Sequence, residues 1–430
     1  MTVSSIRRVA TRMHTIGTEG AFAVSARARA LEAQGRPMIH LQIGEPDFDT
    51  PAHVREAAKA ALDDGATHYA PFPGIPELRA AIAEDVTRRK GFAADPSQVF
   101  VTVGGKGVML YAILGLIDPG DEVIVPDPGY PIYESLTRFV GASPVPIPIR
   151  MEHDFRLDVE ELAGLITPRT RLLIINSPAN PTGGVLTRSD LERIAELAQE
   201  HDLWVMTDEI YGRILYDGAE HISIASLPGM ADRTIVLDGF SKTFAMTGWR
   251  LGYAVVPESL KEVYGELVIN TISCAPTFAQ VGAVQALVGP QDDVDAMVVE
   301  FKARRDLVVS GLNAIPGIRA KTPFGAFYAF PDISGTGLSG AELAERLLTE
   351  ADVCVLAGTA FGGVGTDHIR ISYANSRENL MTALERIGES LGKLERTGER
   401  APRLAIRAAC RRPASVSPRE TQSRLAESHC

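Results

Sequence analysis

The feature that most constrains the fold is a regular alternation of short β-branched runs with helical patterns from residue 98 onward. Strand-like runs at Val99–Val103 and Glu122–Pro126 are each followed by a helical pattern, through Tyr111–Ile117 and Tyr133–Val140 respectively. This order is typical of βαβ units, in which helices cover a parallel sheet. The sequence therefore predicts an α/β fold.

The alternation continues to about residue 256. The further strand-like runs are Arg171–Ile175, an isolated Val185, Leu203–Thr207, Thr234–Asp238 and Leu251–Val256, with a helical pattern at Ser189–His201. These runs are apolar enough to be buried on both faces, as the strands of a central parallel sheet are. We expect a mainly parallel sheet within a large domain of residues 46–295.

The sequence changes character after residue 300. Helical patterns at Phe301–Ala314, Ala341–Ala351 and Arg377–Leu391 surround short strands near Phe327–Phe330 and Ile369–Ser372. They predict a smaller α+β domain, formed by residues 15–45 and 296–392. Residues 393–430 lose this periodicity and carry nine basic against four acidic residues. We expect a disordered basic tail there.

Composition excludes several classes of function. Nucleic-acid-binding proteins are typically basic, whereas this chain has a net charge of −11 and an isoelectric point near 5.4. Four scattered cysteines, with no C-x-x-C pair or histidine cluster, predict neither a disulfide framework nor a metal site. No run of 18 uncharged apolar residues indicates a membrane span. We expect a cytoplasmic protein that acts on small molecules.

The most informative motif is a lysine in a loop between two strand-like runs. Lys242 lies in the string Asp238-Gly-Phe-Ser-Lys-Thr-Phe-Ala-Met-Thr-Gly-Trp-Arg250. A lysine amine that burial and its neighbours keep partly neutral can form an imine with an aldehyde cofactor. A nearby arginine can hold a phosphate bidentately. The string thus predicts a covalent attachment point at Lys242 and an anion contact at Arg250.

Three further motifs follow predicted strands, where open α/β sheets bind ligands. Thr207-Asp-Glu-Ile-Tyr211 presents a carboxylate, and Asn176-Ser-Pro-Ala-Asn-Pro-Thr-Gly183 contains two X-Pro bonds that stiffen the loop and can include a cis isomer. Val101-Thr-Val-Gly-Gly-Lys-Gly107 leads into a helix whose first N–H groups form an anion site. It is not a Walker A loop, which has Gly where Phe100 stands and Ser or Thr where Gly107 stands.

Together these motifs resemble the pyridoxal-phosphate (PLP) enzymes of fold type I, and in particular the class I and II aminotransferases. The resemblance extends over roughly residues 15 to 392. It implies a fold-type I PLP-transferase that uses pyridoxal 5'-phosphate to move the α-amino group of an L-amino acid to a 2-oxo acid. In that cycle the cofactor alternates between its aldehyde and amine forms, which gives ping-pong kinetics.

The resemblance also implies roles for individual residues toward the cofactor. Lys242 carries PLP and is the catalytic base, and Asp208 keeps the pyridine nitrogen protonated so that the ring is an electron sink. One departure is Gly239, where many relatives carry serine, so we expect Ser241 to be the weaker phosphate contact. The cofactor contacts implied in addition are Tyr69, Gly105, Lys106, Tyr130, Asn180, Tyr211, Ser241 and Arg250.

On the substrate side, the resemblance implies contacts from separate parts of the chain. Arg370, in His-Ile-Arg-Ile-Ser-Tyr, matches the arginine that clamps the α-carboxylate as a planar fork. The Gly44 backbone and Asn180 face the same substrate. Tyr69 matches a tyrosine that reaches across a dimer interface to the neighbour's phosphate, which implies a homodimer.

Two residues give conflicting indications about the amino donor. Lys106 resembles the lysine with which a bacterial subgroup of aspartate aminotransferases pairs a side-chain carboxylate, which favours aspartate or glutamate. Glu19 and Ala21 replace the serine and threonine of those enzymes, and Glu19-Gly-Ala resembles arginine:pyruvate transaminases instead. Glu19 can also be a solvated charge or pair with Lys106. Both an aspartate/glutamate-type and an arginine/alanine-type donor stay open.

Other functions are compatible with parts of this pattern. The same fold hosts PLP-dependent β-lyases and decarboxylases, because the cofactor sets much of the chemistry. A non-catalytic PLP-sensing domain of a transcriptional regulator is a distant alternative, since only about 14 residues precede Thr15, too few for a winged-helix module. A dinucleotide oxidoreductase is disfavoured, because no G-x-G-x-x-G follows the first strand.

Overall fold

The computed structural model describes residues 9–17 and 19–397, and its centre is a seven-stranded sheet. The strands, in chain order, are β1 Ile39–His40, β2 Val99–Val103, β3 Glu122–Asp127, β4 Ser143–Pro148, β5 Thr170–Asn176, β6 Trp204–Asp208, β7 Thr234–Gly239, β8 Leu251–Val255, β9 Tyr328–Ala329, β10 Val353–Cys354, β11 Leu356–Ala357 and β12 Ile369–Ser372.

The central sheet is mainly parallel, as the sequence predicted. Its spatial order is β2-β8-β7-β6-β5-β3-β4, and β8 is antiparallel to both of its neighbours while every other pair is parallel. The apolar side chains of its inner strands are almost wholly buried, because helices cover both faces. The α/β fold of the sequence analysis is thereby confirmed.

Twelve α-helices accompany the strands in the described part of the chain. Polar side chains cap several of them; Thr187 and Ser339, for example, form capping boxes at the starts of the seventh and eleventh helices. The helices are α1 Gly20–Glu32, α2 Ala52–Asp63, α3 Pro76–Lys90, α4 Gly105–Leu116, α5 Pro131–Phe139, α6 Val159–Leu165, α7 Arg188–Glu200, α8 Lys261–Thr271, α9 Thr277–Val288, α10 Asp292–Asn313, α11 Gly340–Glu350 and α12 Arg377–Thr397.

The sequence analysis was wrong about two strands between residues 98 and 256, and it also missed the two-residue strands β1, β10 and β11. It missed β4, whose residues Pro144, Pro146 and Pro148 argue against a strand. These prolines are tolerated because β4 is an edge strand that pairs only with β3, so one row of its N–H positions needs no partner. Val185 was predicted as a strand and lies in an irregular segment before α7.

The later part of the chain forms smaller sheets with its own apolar core. Strands β11, β12 and β9 make an antiparallel sheet, β1 pairs with β10, and α10 packs against α12. One hydrophobic cluster joins residues 39 and 41 to residues 297–391, and it also includes Tyr211, Ile214 and Tyr216. The division into domains of residues 46–295 and of residues 15–45 with 296–392 stays a prediction. Helix α12 continues to Thr397, into the predicted tail, and residues 398–430 lie outside the described residues.

None of the helices described is long and apolar enough to cross a membrane.

A buried ion cluster ties α3 to the central sheet. Lys90, the last residue of α3, contacts Glu209 at 2.7 Å and Asp238 at 2.8 Å, and its side chain is 3% exposed. His221 Nε2 lies 2.9 Å from the same Glu209, which is fully buried. Removing one partner from such a cluster leaves charges buried without compensation.

We predict that Lys90→Met lowers the stability of the protein by about 3–5 kcal/mol, because Glu209 and Asp238 then lose their shared cation. The measurement is the midpoint of urea unfolding. Lys59→Met is the matched control, since Lys59 makes an ion pair with Glu56 in which both side chains are 66% exposed. The control is expected to change stability by less than about 1 kcal/mol. Equal losses in the two variants would contradict the prediction.

Candidate active site

Polar side chains collect at the carboxyl-terminal edge of the central sheet. Asn176 ends β5, Asp208 ends β6 and Gly239 ends β7. Strand β8 lies between β2 and β7 and is antiparallel to both, so β2 runs in the same direction as β7. Gly104, which follows β2, therefore lies at the same edge. Ligands bind at this edge in open α/β sheets.

Lys242 follows β7 and is held over this edge. Its Nζ donates a hydrogen bond to the Gly44 carbonyl oxygen at 2.6 Å. Burial lowers the pKa of Lys242 to about 8; Arg370 and Arg250 act in the same direction, while Glu45 opposes them. A far larger fraction of this amine is therefore neutral near neutral pH than of an ordinary lysine.

Tyr211 and Tyr328 link the lysine to the other side of the site. A side chain at Gly44 would collide with the Tyr328 hydroxyl. Because glycine has no side chain, the Tyr328 ring can approach the Gly44 backbone, whose carbonyl oxygen accepts the hydrogen bond from Lys242. The Tyr328 hydroxyl lies 2.8 Å from that of Tyr211, and both rings are buried.

Arg370 lies in β12 and is almost completely buried. Its guanidinium is 4.5 Å from the Tyr328 ring centroid and 4.8 Å from that of Phe361. Its Nη1 donates to Asn180 Oδ1 at 3.1 Å, and its Nη2 donates to the Gln42 carbonyl. The Nε is buried without a partner in the described residues. A planar fork with donor capacity left over suits a carboxylate.

Asp208 is a buried carboxylate with two donors. The Tyr133 hydroxyl donates to its Oδ2 at 2.6 Å, and the Ile210 amide donates to its Oδ1 at 3.2 Å. Burial raises the pKa of Asp208 to about 6, and these two hydrogen bonds oppose that rise. Asp208 is therefore mostly ionised at pH 7, although it lies in an apolar environment.

The start of α4 forms a positively charged end of the site. Gly104 has a φ of 73° and precedes the first turn of α4, which begins at Gly105. A side chain at Gly104 would collide with the Arg250 guanidinium, which shows how closely this cation approaches the helix start. Ser241 is buried beside Lys242. Helix N–H groups and an arginine together attract phosphate.

The glycine at position 239, where many relatives carry serine, has a steric reason. Gly239 pairs with Gly252 across β7 and β8. A Cβ at residue 239 would lie 2.9 Å from the Gly252 Cα, so the two backbones are closer than a serine there allows.

The loop after β5 contains two X-Pro bonds, Ser177–Pro178 and Asn180–Pro181, and both are cis.

Glu19, Lys106 and Tyr130 form a cluster at the mouth of the site. The Tyr130 hydroxyl donates to Glu19 Oε1 at 2.7 Å, and Lys106 Nζ makes an ion pair with the same oxygen. The Glu19 side chain is 17% exposed, whereas that of Lys106 is 47% exposed. The pairing that the sequence left open is thus present, and the Glu19 carboxylate compensates the charge of Lys106.

Tyr69 stands apart from the other predicted site residues, because its side chain is 92% exposed. Within the described ranges, no three His, Cys, Asp or Glu side chains come together as metal ligands would. Sequence reasoning missed Tyr133, Tyr328 and Phe361. Tyr133 follows Tyr130 by three residues in Pro-Gly-Tyr-Pro-Ile-Tyr, a spacing that could have drawn attention to it.

Comparison with known proteins agrees with this geometry. The family model for aminotransferase class I and II matches residues 36–387. An aromatic-amino-acid aminotransferase of Thermococcus litoralis is 46% identical over 84% of this chain and 93% of its own length. An arginine–pyruvate transaminase of Pseudomonas aeruginosa is 45% identical over 86% of this chain and 95% of its own length.

The solved structures include an aspartate aminotransferase of Thermus thermophilus with maleate, which is 41% identical and has a TM-score of 0.85. The match covers 90% of this chain and all of that one. These relatives are named for amino-group transfer, so they do not favour the β-lyase, decarboxylase and non-catalytic alternatives. The chain belongs to the class I and II aminotransferase family, and it is a PLP-dependent transaminase.

Proposed function

We propose that the cluster around Lys242 is the active site in which the protein moves the α-amino group of an L-amino acid to a 2-oxo acid. The observation that carries the proposal is the Lys242 amine, whose pKa burial lowers to about 8, on the same sheet edge as the buried carboxylate of Asp208. The residues fit PLP, because an amine, a carboxylate and a phosphate-attracting helix start are arranged along one edge.

Each residue has a separate task in this proposal. Arg250, Ser241 and the Gly105 amide would hold the phosphate, and Tyr130 would pack against the ring. Tyr211 and Asn180 would donate to the ring oxygen. When bound, PLP supplies an aldehyde and an electron sink for the carbanion at the substrate Cα.

The chemistry of the chain's own groups follows from their environments. The Asp208 carboxylate stabilises a proton on the pyridine nitrogen. Arg370 orients the substrate by its α-carboxylate, and the Tyr328 and Phe361 rings, whose centroids lie 4.5 Å and 4.8 Å from the guanidinium, exclude water from it. Lys242 Nζ, once freed, takes the proton from the substrate Cα as a general base.

We predict that Lys242→Ala abolishes turnover without unfolding the protein. The loss should exceed about 10³-fold, since both the attachment point and the base disappear. Turnover is measured with a 2-oxo acid acceptor, and circular dichroism verifies the fold. Lys261→Ala is the matched control, because Lys261 pairs with Glu258 at the surface. A Lys242→Ala protein that still transferred amino groups would contradict the proposal.

We propose further that the amino donor carries a cationic or neutral side chain and is not a dicarboxylate. Glu19 is the more enclosed member of its ion pair with Lys106, so the half-exposed Lys106 can turn to solvent more readily than Glu19 can. A substrate carboxylate that reached Lys106 would displace Glu19 and then lie beside it. Like charges brought together in this way disfavour the wrong partner.

A cationic donor meets the opposite situation. Glu19, which already accepts from Tyr130, can accept from a guanidinium or ammonium group in place of Lys106. The arginine–pyruvate transaminase relative is named for such a donor, while the Thermus relative was solved with a dicarboxylate. The contacts of Glu19 support a cationic donor for this chain.

We predict that Glu19→Ser raises kcat/KM for aspartate and glutamate by about tenfold or more, and lowers it for arginine. The measurement is a half-reaction screen of the twenty amino acids that follows the absorbance of the bound cofactor. Glu134→Ser is the control, since it removes the same charge from a surface pair with Arg138. Aspartate and glutamate as the best donors of the unaltered enzyme would contradict the proposal.

We propose that the enzyme is a homodimer in which Tyr69 reaches the partner's phosphate site. Tyr69 is accompanied by other exposed apolar side chains, among them Leu114 on α4 and Ile269 on α8. Helices α4 and α8 contact each other, and Phe72 lies against Gly265 of α8. A shared apolar surface of this kind suits a second copy of the chain.

We predict that two inactive variants complement each other. A chain with Lys242→Ala and a chain with Tyr69→Ala, co-produced with different tags, form a mixed dimer. In that dimer one of the two sites has both native residues, so about half of the normal activity is expected per dimer. Isolated mixed dimers that are as inactive as the Lys242→Ala dimer would contradict the proposed interface.

We also propose a cytoplasmic location, which agrees with the free thiols of Cys274 and Cys354.

A further inference from the structure

Tyr133 is a buried tyrosine to which the proposed function assigns no contact with cofactor or substrate. It lies in the first turn of α5, three residues after Tyr130, and is 1% exposed. Its hydroxyl donates to Asp208 Oδ2 at 2.6 Å, while the Ile210 amide holds the other carboxylate oxygen. The two donors fix the plane in which the carboxylate faces the site.

We propose that Tyr133 is a positioning residue whose hydroxyl orients the Asp208 carboxylate and keeps it ionised toward the pyridine nitrogen of the cofactor. The inference rests on the role proposed above for Asp208 and extends it to a residue outside the PLP contacts. Tyr133 touches Asp208, and it acts through Asp208.

The surroundings of Asp208 explain why a donor is needed. Burial raises the pKa of this carboxyl to about 6, and the neighbouring charges of Asp238 and Glu209 act in the same direction. Tyr133 and the Ile210 amide act against them. Tyr133 is the side-chain donor to this carboxylate in the described part of the chain. The titratable and charged groups around Asp208 are Tyr130 and Tyr133 at α5, Glu209 and Tyr211 after β6, Asp238 on β7, and Lys90, which pairs with Glu209 and Asp238.

The consequence for the cofactor follows from where one proton resides. An ionised Asp208 leaves the proton on the pyridine nitrogen and makes the ring a strong electron sink. A protonated Asp208 instead donates to a neutral pyridine, and the sink is weakened. Loss of one hydrogen bond to a charged group raises the pKa of Asp208 by about one to two units.

The decisive experiment reads the proton directly. The holoenzyme is loaded with PLP labelled with ¹⁵N in the ring, and the nitrogen chemical shift is followed from pH 6 to pH 9. In Tyr133→Phe we expect the shift at pH 7 to move toward that of neutral pyridine, and the acid limb of kcat/KM to rise by about one pH unit or more. Because Asp208 and the ring nitrogen share one proton, alkali removes that proton and does not return it to the ring, so the loss of activity at neutral pH should persist up to pH 9.

A matched control separates this effect from packing. Tyr264 belongs to the same hydrophobic cluster and is equally buried, but its hydroxyl donates to the Val108 carbonyl. Tyr264→Phe should leave the ring-nitrogen signal and the pH profile unchanged. A second variant, Tyr133→3-fluorotyrosine, keeps the size of the ring and strengthens the donor, so it should move the acid limb to lower pH.

Two results would overturn the inference. One is a Tyr133→Phe enzyme that keeps the pyridinium signal and the normal pH profile and loses only stability. The other is a fluorotyrosine variant whose acid limb does not move. Asp208→Asn distinguishes these failures from a failure of the proposed function: if that enzyme also keeps a protonated ring nitrogen, the role of Asp208 itself is wrong.

Discussion

The structure depends on the different partners of two consecutive buried carboxylates at the end of β6. Asp208 and Glu209 are both almost fully buried, yet their partners differ. Burial acts to raise the pKa of Glu209, but Lys90 and His221 outweigh it and hold that pKa far below its usual range. Asp208 receives only neutral donors, and its pKa is raised to about 6. One carboxylate thereby fixes α3 to the sheet, and the other stays available for chemistry.

Much of this arrangement could be predicted from the sequence, because the motifs follow strands. Strands β2 and β12 have the bounds that the sequence predicted, and parallel strands necessarily bring their following residues to one edge. Strand β4 could not be predicted, since its prolines are acceptable only at an edge that the sequence does not reveal. Local patterns specify elements, whereas the position of an element in the sheet is a global property.

The contacts within the site were less predictable than its members. Lys106 and Glu19 were both recognised, but their ion pair joins the starts of α1 and α4, which are 87 residues apart in the sequence. Tyr133 and Tyr328 were missed because each acts through a long-range hydrogen bond, to Asp208 and to Tyr211. The spacing of Tyr130 and Tyr133 could draw attention to Tyr133, but it does not reveal the residue that Tyr133 contacts. The relative exposure of two paired charges is likewise visible only in the fold.

The two halves of the site are also connected mechanically. Asp127 accepts hydrogen bonds from the Gly363 amide at 3.0 Å and the Val364 amide at 3.1 Å, and the Gly129 amide donates to the Phe361 carbonyl at 2.8 Å. The loop that precedes Tyr130 is thus joined to the loop whose Phe361 ring contacts the guanidinium of Arg370. A displacement of either loop breaks hydrogen bonds of the other. One shared set of hydrogen bonds therefore supports both Tyr130, the ring proposed to pack on the cofactor, and Phe361, the ring beside the arginine proposed to bind the substrate carboxylate.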